Sequence, residues 1–172
     1  MKRFLVILFF AFPVYTVAQN EFAATSFYNT LKKIKDDGEK GFAACKGQKM
    51  KSPYEDLEDA YKAKFMLPLA DSGKVVFPVS GPVYAVYFFE PEKKLVDIEK
   101  RASNLREAVA TATGGLLYSK ATTTKIDDYI NSNTYIYLAE EETDTRKAIY
   151  RISIYRVKKR YHLSLEIRGK NN

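Results

Sequence analysis

The pattern that constrains the fold most tightly lies in the last third of the chain. Tyr150, Ile152 and Ile154 alternate with Arg151, Ser153 and Tyr155, and Leu163, Leu165 and Ile167 alternate with His162, Ser164 and Glu166. A period of two is the mark of a strand with one buried face. If Lys158 and Lys159 form the turn, Ile154 meets Leu163, Ile152 meets Leu165 and Tyr150 meets Ile167 on the apolar face. The other face then pairs Tyr155 with His162, Ser153 with Ser164 and Arg151 with Glu166, and the last pair is expected to face solvent. A slip of one residue would set isoleucine against histidine or serine, so this parity is strongly favoured. Lys-Lys is a poor pair for a primed turn, and a four-residue loop would keep the same parity.

The clearest helix is expected over about 91–113. Leu95, Ile98, Ala102, Leu105, Val109 and Ala112 recur on one face, Glu90 and Glu92 suit its start, and Gly114-Gly115 supplies the stop. An earlier helix is predicted around Phe27, Leu31 and Ile34, with Ser26 as cap and Asp36-Asp37-Gly38 as its end. Phe42 to Cys45 follows, Gly47 closes the segment, and Ser52-Pro53-Tyr54-Glu55 reads as a capping box opening a short helix that ends near Lys62.

Lys64–Leu69 and Lys74–Val79 read as a hairpin around Asp71-Ser72-Gly73, with Pro68 and Pro78 marking an edge or irregularity. Val83 to Phe89 is apolar at every position, as a central strand covered on both faces would be. Leu116–Tyr118 reads as a short strand, and Ala121–Asn133 as a Thr-rich loop with a helical turn near 126–130. Asn133–Ala139 is a strand, joined to the last hairpin by the acidic stretch Glu140–Thr145. The expected class is therefore α+β. A largely antiparallel sheet of about six or seven strands carries one long helix, preceded by N-terminal helical segments.

Residues 1–18 read as a signal peptide. Lys2 and Arg3 precede the apolar run Phe4–Phe12, Pro13 closes it, and Thr16-Val17-Ala18 offers a cleavage site before Gln19. The run is too short and too interrupted for a spanning helix, so no transmembrane segment is expected once it is removed. Residues 19–172 are then one exported domain, periplasmic or secreted. Cys45 is the only cysteine, which leaves a buried hydrophobe and a reactive or intermolecular thiol as open readings.

Charge is uneven along this domain. Nine basic residues and a single acidic one follow Thr145, whereas residues 19–145 carry a net charge of −3. A basic end suits an anionic surface, a polysaccharide or an envelope protein, and it also suits a solvated hairpin whose lysines block edge pairing. The candidate partner-binding residues are Arg151, Tyr155, Lys158, Lys159, Arg160 and His162, with Tyr135 and Tyr137 on one face of the preceding strand. Tyrosines beside cations can stack sugars or anchor a protein partner.

Catalytic and metal motifs are weak. His162 is the only histidine, and it would project beside Ser164 from the same strand with no buried acid to orient it. It reads as an exposed strand histidine. Neither neighbouring serine sits in a G-x-S-x-G elbow. One His and one Cys do not make a zinc site. Glu140–Asp144 lacks the spacing and glycine of an EF-hand. Gly73-Lys74 lacks the upstream glycine and the following Ser or Thr of a phosphate loop. No catalytic residue, metal or cofactor is assigned. The expected function is a non-catalytic exported binding or interaction protein. The alternatives are an exported hydrolase with a site near the 119–133 loop, and a polyanion or nucleic-acid binder. Export argues against the nucleic-acid form of the last.

Overall fold

A computed structural model describes residues 20–114, 118–126, 129–137, 144 and 147–171. The signal-peptide reading of 1–18 falls outside them, as do Leu116 and Leu117 of the expected 116–118 strand and residues 140–143 and 145 of the acidic stretch. The elements run α1 (Thr25–Gly38), β1 (Lys46–Met50), β2 (Glu58–Ala63), β3 (Ala70–Pro78), β4 (Pro82–Glu92), α2 (Leu95–Thr113), β5 (Tyr118–Ile126), β6 (Tyr129–Tyr137), β7 (Tyr150–Val157) and β8 (Arg160–Asn171). The class is α+β. All strands join one eight-stranded antiparallel sheet in the order β1-β2-β3-β4-β8-β7-β6-β5. Two four-stranded meanders thus meet at a β4–β8 seam.

Both helices pack on the same face of this sheet. Phe27, Leu31 and Ile34 of α1 and Ile98, Leu105, Ala108 and Val109 of α2 are buried over Val83, Ala85, Tyr87, Leu163, Leu165, Ile167 and Ile152. The stripe read from the sequence is this packing seam: Leu95, Ala102 and Ala112 sit half-buried at its margins. Gly114 caps α2 in the left-handed conformation, with φ +62°. The helix begins at Leu95 and not near 91, because Glu90–Glu92 still belongs to β4 and Glu92 pairs with Tyr161. Around α1, the cap position is Ala24, which makes no side-chain hydrogen bond, so Ser26 does not cap the helix.

The last hairpin has the register derived from its alternation, rung for rung from Tyr150–Ile167 to Tyr155–His162. Val157 pairs with Arg160, so Lys158 and Lys159 form a two-residue turn. Lys158 takes φ +57°, a conformation that disfavours a side chain. Val83–Phe89 lies in the fourth strand of eight, the central position expected of it. Its core face is under the helices, but among the described residues no helix covers the other face.

Three local readings are corrected. The helix expected from Ser52 to Lys62 is a single turn followed by β2. Leu57 N and Glu58 N both donate to Tyr54 O at 2.9 Å. Ser52 does cap this turn, accepting from Tyr54 N at 3.1 Å, but its carboxylate partner is Glu58 and not Glu55. Pairing of residues 58–62 with β3 outweighs a local helix start. Residues 42–45 connect α1 to β1. They form a turn held by Asp37, whose carboxylate accepts from Ala44 N at 3.1 Å and Cys45 N at 2.7 Å.

The first hairpin exists, but its strands are β2 and β3, with the connection at 64–69. Asp71-Ser72-Gly73 lies inside β3 beside a register shift. Gly73 is there for space: a Cβ would lie 2.7 Å from the Tyr87 ring. The 121–133 loop is the β5–β6 hairpin, paired from Tyr118–Tyr137 to Ile126–Tyr129. Its Thr-rich composition, taken for a loop, is β-branched and suits a strand. This hairpin and β1 bring the sheet to eight strands, above the six or seven expected.

Cys45 is buried, with Sγ 3.5 Å from the Tyr87 hydroxyl, which donates to Phe65 O at 2.9 Å. Its reading as a small buried residue holds. α1 meets the sheet backbone to backbone. A Cβ on Gly169 would lie 2.6 Å from Gly38 O and 2.8 Å from the Phe42 ring. Neither neighbour is a flexible side-chain end, so Gly169→Ala is expected to cost about 1–3 kcal/mol. The check is a lowered thermal midpoint by circular dichroism, with Arg160→Ala on the same strand as an exposed control.

Candidate functional site

Successive strand residues point to opposite faces, so the apolar alternation that builds the core also builds a polar face on the side away from the helices. One rung of this open face crosses seven strands: Lys62, Lys74, Val86, Glu166, Arg151, Tyr135 and Lys120. The next rung is short and polar, running from Ser164 through Ser153 and Asn133 to Thr122. Beyond it stand His162, Tyr155 and Asn131. On the opposite side lie Val76, Tyr84 and Arg168.

Glu166 is the centre of this face. It is 3% exposed, yet no helix lies over it among the described residues. Arg151 Nη2 bonds one of its carboxylate oxygens, and Arg168 Nε donates to the other at 2.7 Å. The Arg151–Glu166 rung therefore forms as expected, but it is not a loose solvent-face pair. A buried carboxylate needs charged partners for both oxygens, and it has them. Arg168 was not singled out from the sequence, and Glu166 was read only as the solvent-face partner of Arg151. The signal was present, since Glu166 is the one acidic residue in a basic segment and lies two positions from Arg168.

A second carboxylate extends the network. Glu58 accepts from Ser52 Oγ at 3.1 Å and lies 3.5 Å from the Tyr84 hydroxyl and 3.9 Å from Lys74 Nζ. Burial, followed by the negative charges of Glu58 and Glu166, pushes the Tyr84 hydroxyl up to about 12. On the regularly paired rungs, Glu58 and Glu166 stand against Lys62, Lys74, Lys120, Arg151, Arg160 and Arg168, so the open face is cationic overall.

Most of the predicted site residues meet here. Arg151, Tyr155, His162 and Tyr135 share the open face. The rings of Tyr155 and His162 stack at 5.4 Å and 14°, so His162 is half-buried and not the exposed histidine expected. Burial also raises the Tyr155 hydroxyl. Lys158, Lys159 and Arg160 are exposed at the end of the same hairpin. Tyr137 has the same parity as Tyr135 but is only 2% exposed, so its ring offers little surface. Asn133, read at the boundary of loop and strand, accepts from Ser153 Oγ at 2.7 Å and donates from Nδ2 to Asn131 Oδ1 at 3.0 Å, which orders the short polar rung.

On the helix side, a groove of about 360 Å³ separates α2 from the outer strands and is lined by Ser103, Arg106, Glu107 and Ser119. It borders the region suggested for a hydrolytic site. His162 lies on the other face of the sheet and cannot serve as its base. Among the described residues no cluster of three or more His, Cys, Asp or Glu could hold a metal ion. No described helix is long and apolar enough to cross a membrane.

These features define an α+β domain with both helices on one sheet face and a cationic, tyrosine-bearing open face opposite. No protein-family model matches the chain, and no curated protein is similar to it. Among solved structures, the solution structure of cyanobacterial PsbP (CyanoP) from Synechocystis sp. PCC 6803 is 11% identical. It covers 73% of this chain and 81% of that chain, with a TM-score of 0.42. A likeness that loose assigns neither a family nor a function.

The Tyr84 environment has a consequence at high pH. An unfolded tyrosine titrates near 10 and Tyr84 near 12, so folding favours its neutral form. That stability is complete below pH 10 and is lost as the pH rises through 12. Burial also raises the Tyr87 and Tyr150 hydroxyls. Urea midpoints are therefore expected to fall between pH 10 and 12, and to fall less steeply in Tyr84→Phe.

Proposed function

We propose that this is an exported, non-catalytic binding protein. It takes an anionic partner, with an acidic polysaccharide as the favoured class, on the open face of β6–β7–β8 and the adjoining Lys158–Arg160 turn. The observation that carries this reading is the composition of the open face. Arginines and lysines flank a rung of serines and asparagine, with the Tyr155–His162 stack and Tyr135 beside it. Cations supply long-range attraction, ordered hydroxyl and amide groups match the hydroxyls of a sugar, and ring faces support its apolar faces. The export reading of residues 1–18 fits a partner found in the envelope or outside the cell.

Dextran sulfate is a suitable probe, with neutral dextran as control. Binding to the purified protein is expected to weaken as salt rises. Lys158→Glu, Lys159→Glu and Arg160→Glu together are expected to weaken it at least tenfold, since each removes a cation and adds an anion at an exposed turn. Unchanged binding after the triple reversal, or a flat salt dependence, would sink the proposal. Protein recovered from its native host is expected to begin at Gln19. An N-terminus at Met1 would overturn the export part.

A further inference from the structure

The helix face holds a second cavity, distinct from the open face and independent of the reading above. It lies between the last two turns of α1 and the C-terminal end of α2, with a volume of about 290 Å³. Tyr150 of β7 lines it from the sheet side. Its side chain is fully buried, and its hydroxyl has no hydrogen-bond partner. An orphaned buried hydroxyl costs about 1–3 kcal/mol, so a tyrosine there, in place of phenylalanine, needs a reason.

The rest of the lining points to the missing group. Asp36 on α1 opens onto the cavity and is exposed, and among the described residues no cation pairs with it. Ala112 and Thr113 bring the last turn of α2 to the opposite side. That turn contains no basic residue. Thr113 Oγ1 donates to Val109 O and Ala110 O, and Gly114 N donates to Thr111 O, which leaves the Ala112 and Thr113 carbonyls for a cation. Lys35 also lines the cavity, but its ammonium is held by Glu39 at 2.7 Å. Lys32 stands exposed at the rim. Burial and the negative charges of Asp36 and Glu39 raise the Tyr150 hydroxyl, in keeping with a negative field at the cavity floor. Leu31 and Ala112 supply apolar wall.

We propose that this cavity binds the primary ammonium group of a small aliphatic amine. The ammonium would donate to the Asp36 carboxylate, to Tyr150 Oη and to the terminal carbonyls of α2, with its alkyl chain against Leu31 and Ala112. Asp36, Tyr150 and the α2 terminus line one cavity, and an ammonium with three N–H groups can donate to three acceptors. No bond is made or broken; the site recognises and holds.

The test is NMR titration of the protein with n-butylammonium chloride and, separately, sodium butyrate. Butylammonium is expected to perturb Tyr150 and the α2 terminus at millimolar concentration, and butyrate is not. Asp36→Asn, at an exposed position, is expected to weaken the amine about tenfold through loss of a charge-assisted hydrogen bond. Lys32→Gln is expected to tighten it by removing a like charge. Tyr150→Phe is expected to weaken binding while raising the thermal midpoint of the amine-free protein, because the orphaned hydroxyl is gone. Preference for butyrate, tighter binding in Asp36→Asn, weaker binding in Lys32→Gln, or no response to either probe would overturn the proposal.

Discussion

The β4–β8 pairing is the contact on which the rest of the molecule depends. Residues 46–92 form one meander and residues 118–171 another, and the sheet joins them only at this seam. Tyr87 pairs with Leu165, Phe89 with Leu163 and Ala85 with Ile167, all buried. Both helices sit over this line, because it is where two apolar strand faces become one surface wide enough to need covering. The close approach of Gly38 to Gly169 belongs to the same seam and lets α1 lie directly on β8.

The seam also explains the polar face. If Leu163, Leu165 and Ile167 face the helices, then His162, Ser164, Glu166 and Arg168 must face away. A carboxylate in the middle of a broad sheet is screened from water by its neighbours even without a covering layer, and Glu166 is held by arginines from two strands as a result. Breaking such a buried pair by removing one partner generally costs more than the pair contributes, because a charge is left alone. The open face therefore serves stability as well as surface chemistry. The same arginines that fix Glu166 give the face its cationic character.

Much of this was legible in the residues. The register of the last hairpin followed from alternation, because only one parity sets every apolar residue against another. The 95–113 helix followed from its stripe and its glycine stop. The burial of Tyr150 and Tyr87 was legible, from the apolar face of the last hairpin and from the apolar 83–89 run, but the surroundings of their hydroxyls were not. Ser52-Pro53-Tyr54-Glu55 carried a real capping signal, but capping starts a turn and cannot extend it once the next six residues pair as a strand. The Thr-rich segment lacked an apolar alternation because successive residues 121–124, which point to opposite faces, are all open to water. A strand without a buried face has no periodicity to read. The register already derived brought Arg151, Tyr155 and His162 together, whereas Tyr135 joined them only through β6–β7 pairing and Glu58 and Tyr84 only through β2–β3–β4–β8 pairing.

What the sequence determined by itself was local and periodic: the parity of each strong strand, the buried stripe of each helix, the basic end and its turn. These follow from nearest neighbours along the chain, where apolar spacing and side-chain charge act without reference to distant segments. What only the tertiary structure decided was adjacency between segments far apart in the chain. It set the eight-strand order, the burial of Glu166 between two arginines, and the meeting of α1, α2 and Tyr150 around one cavity. Each depends on which surfaces happen to close over one another, a property of the assembled layers that no window of sequence contains.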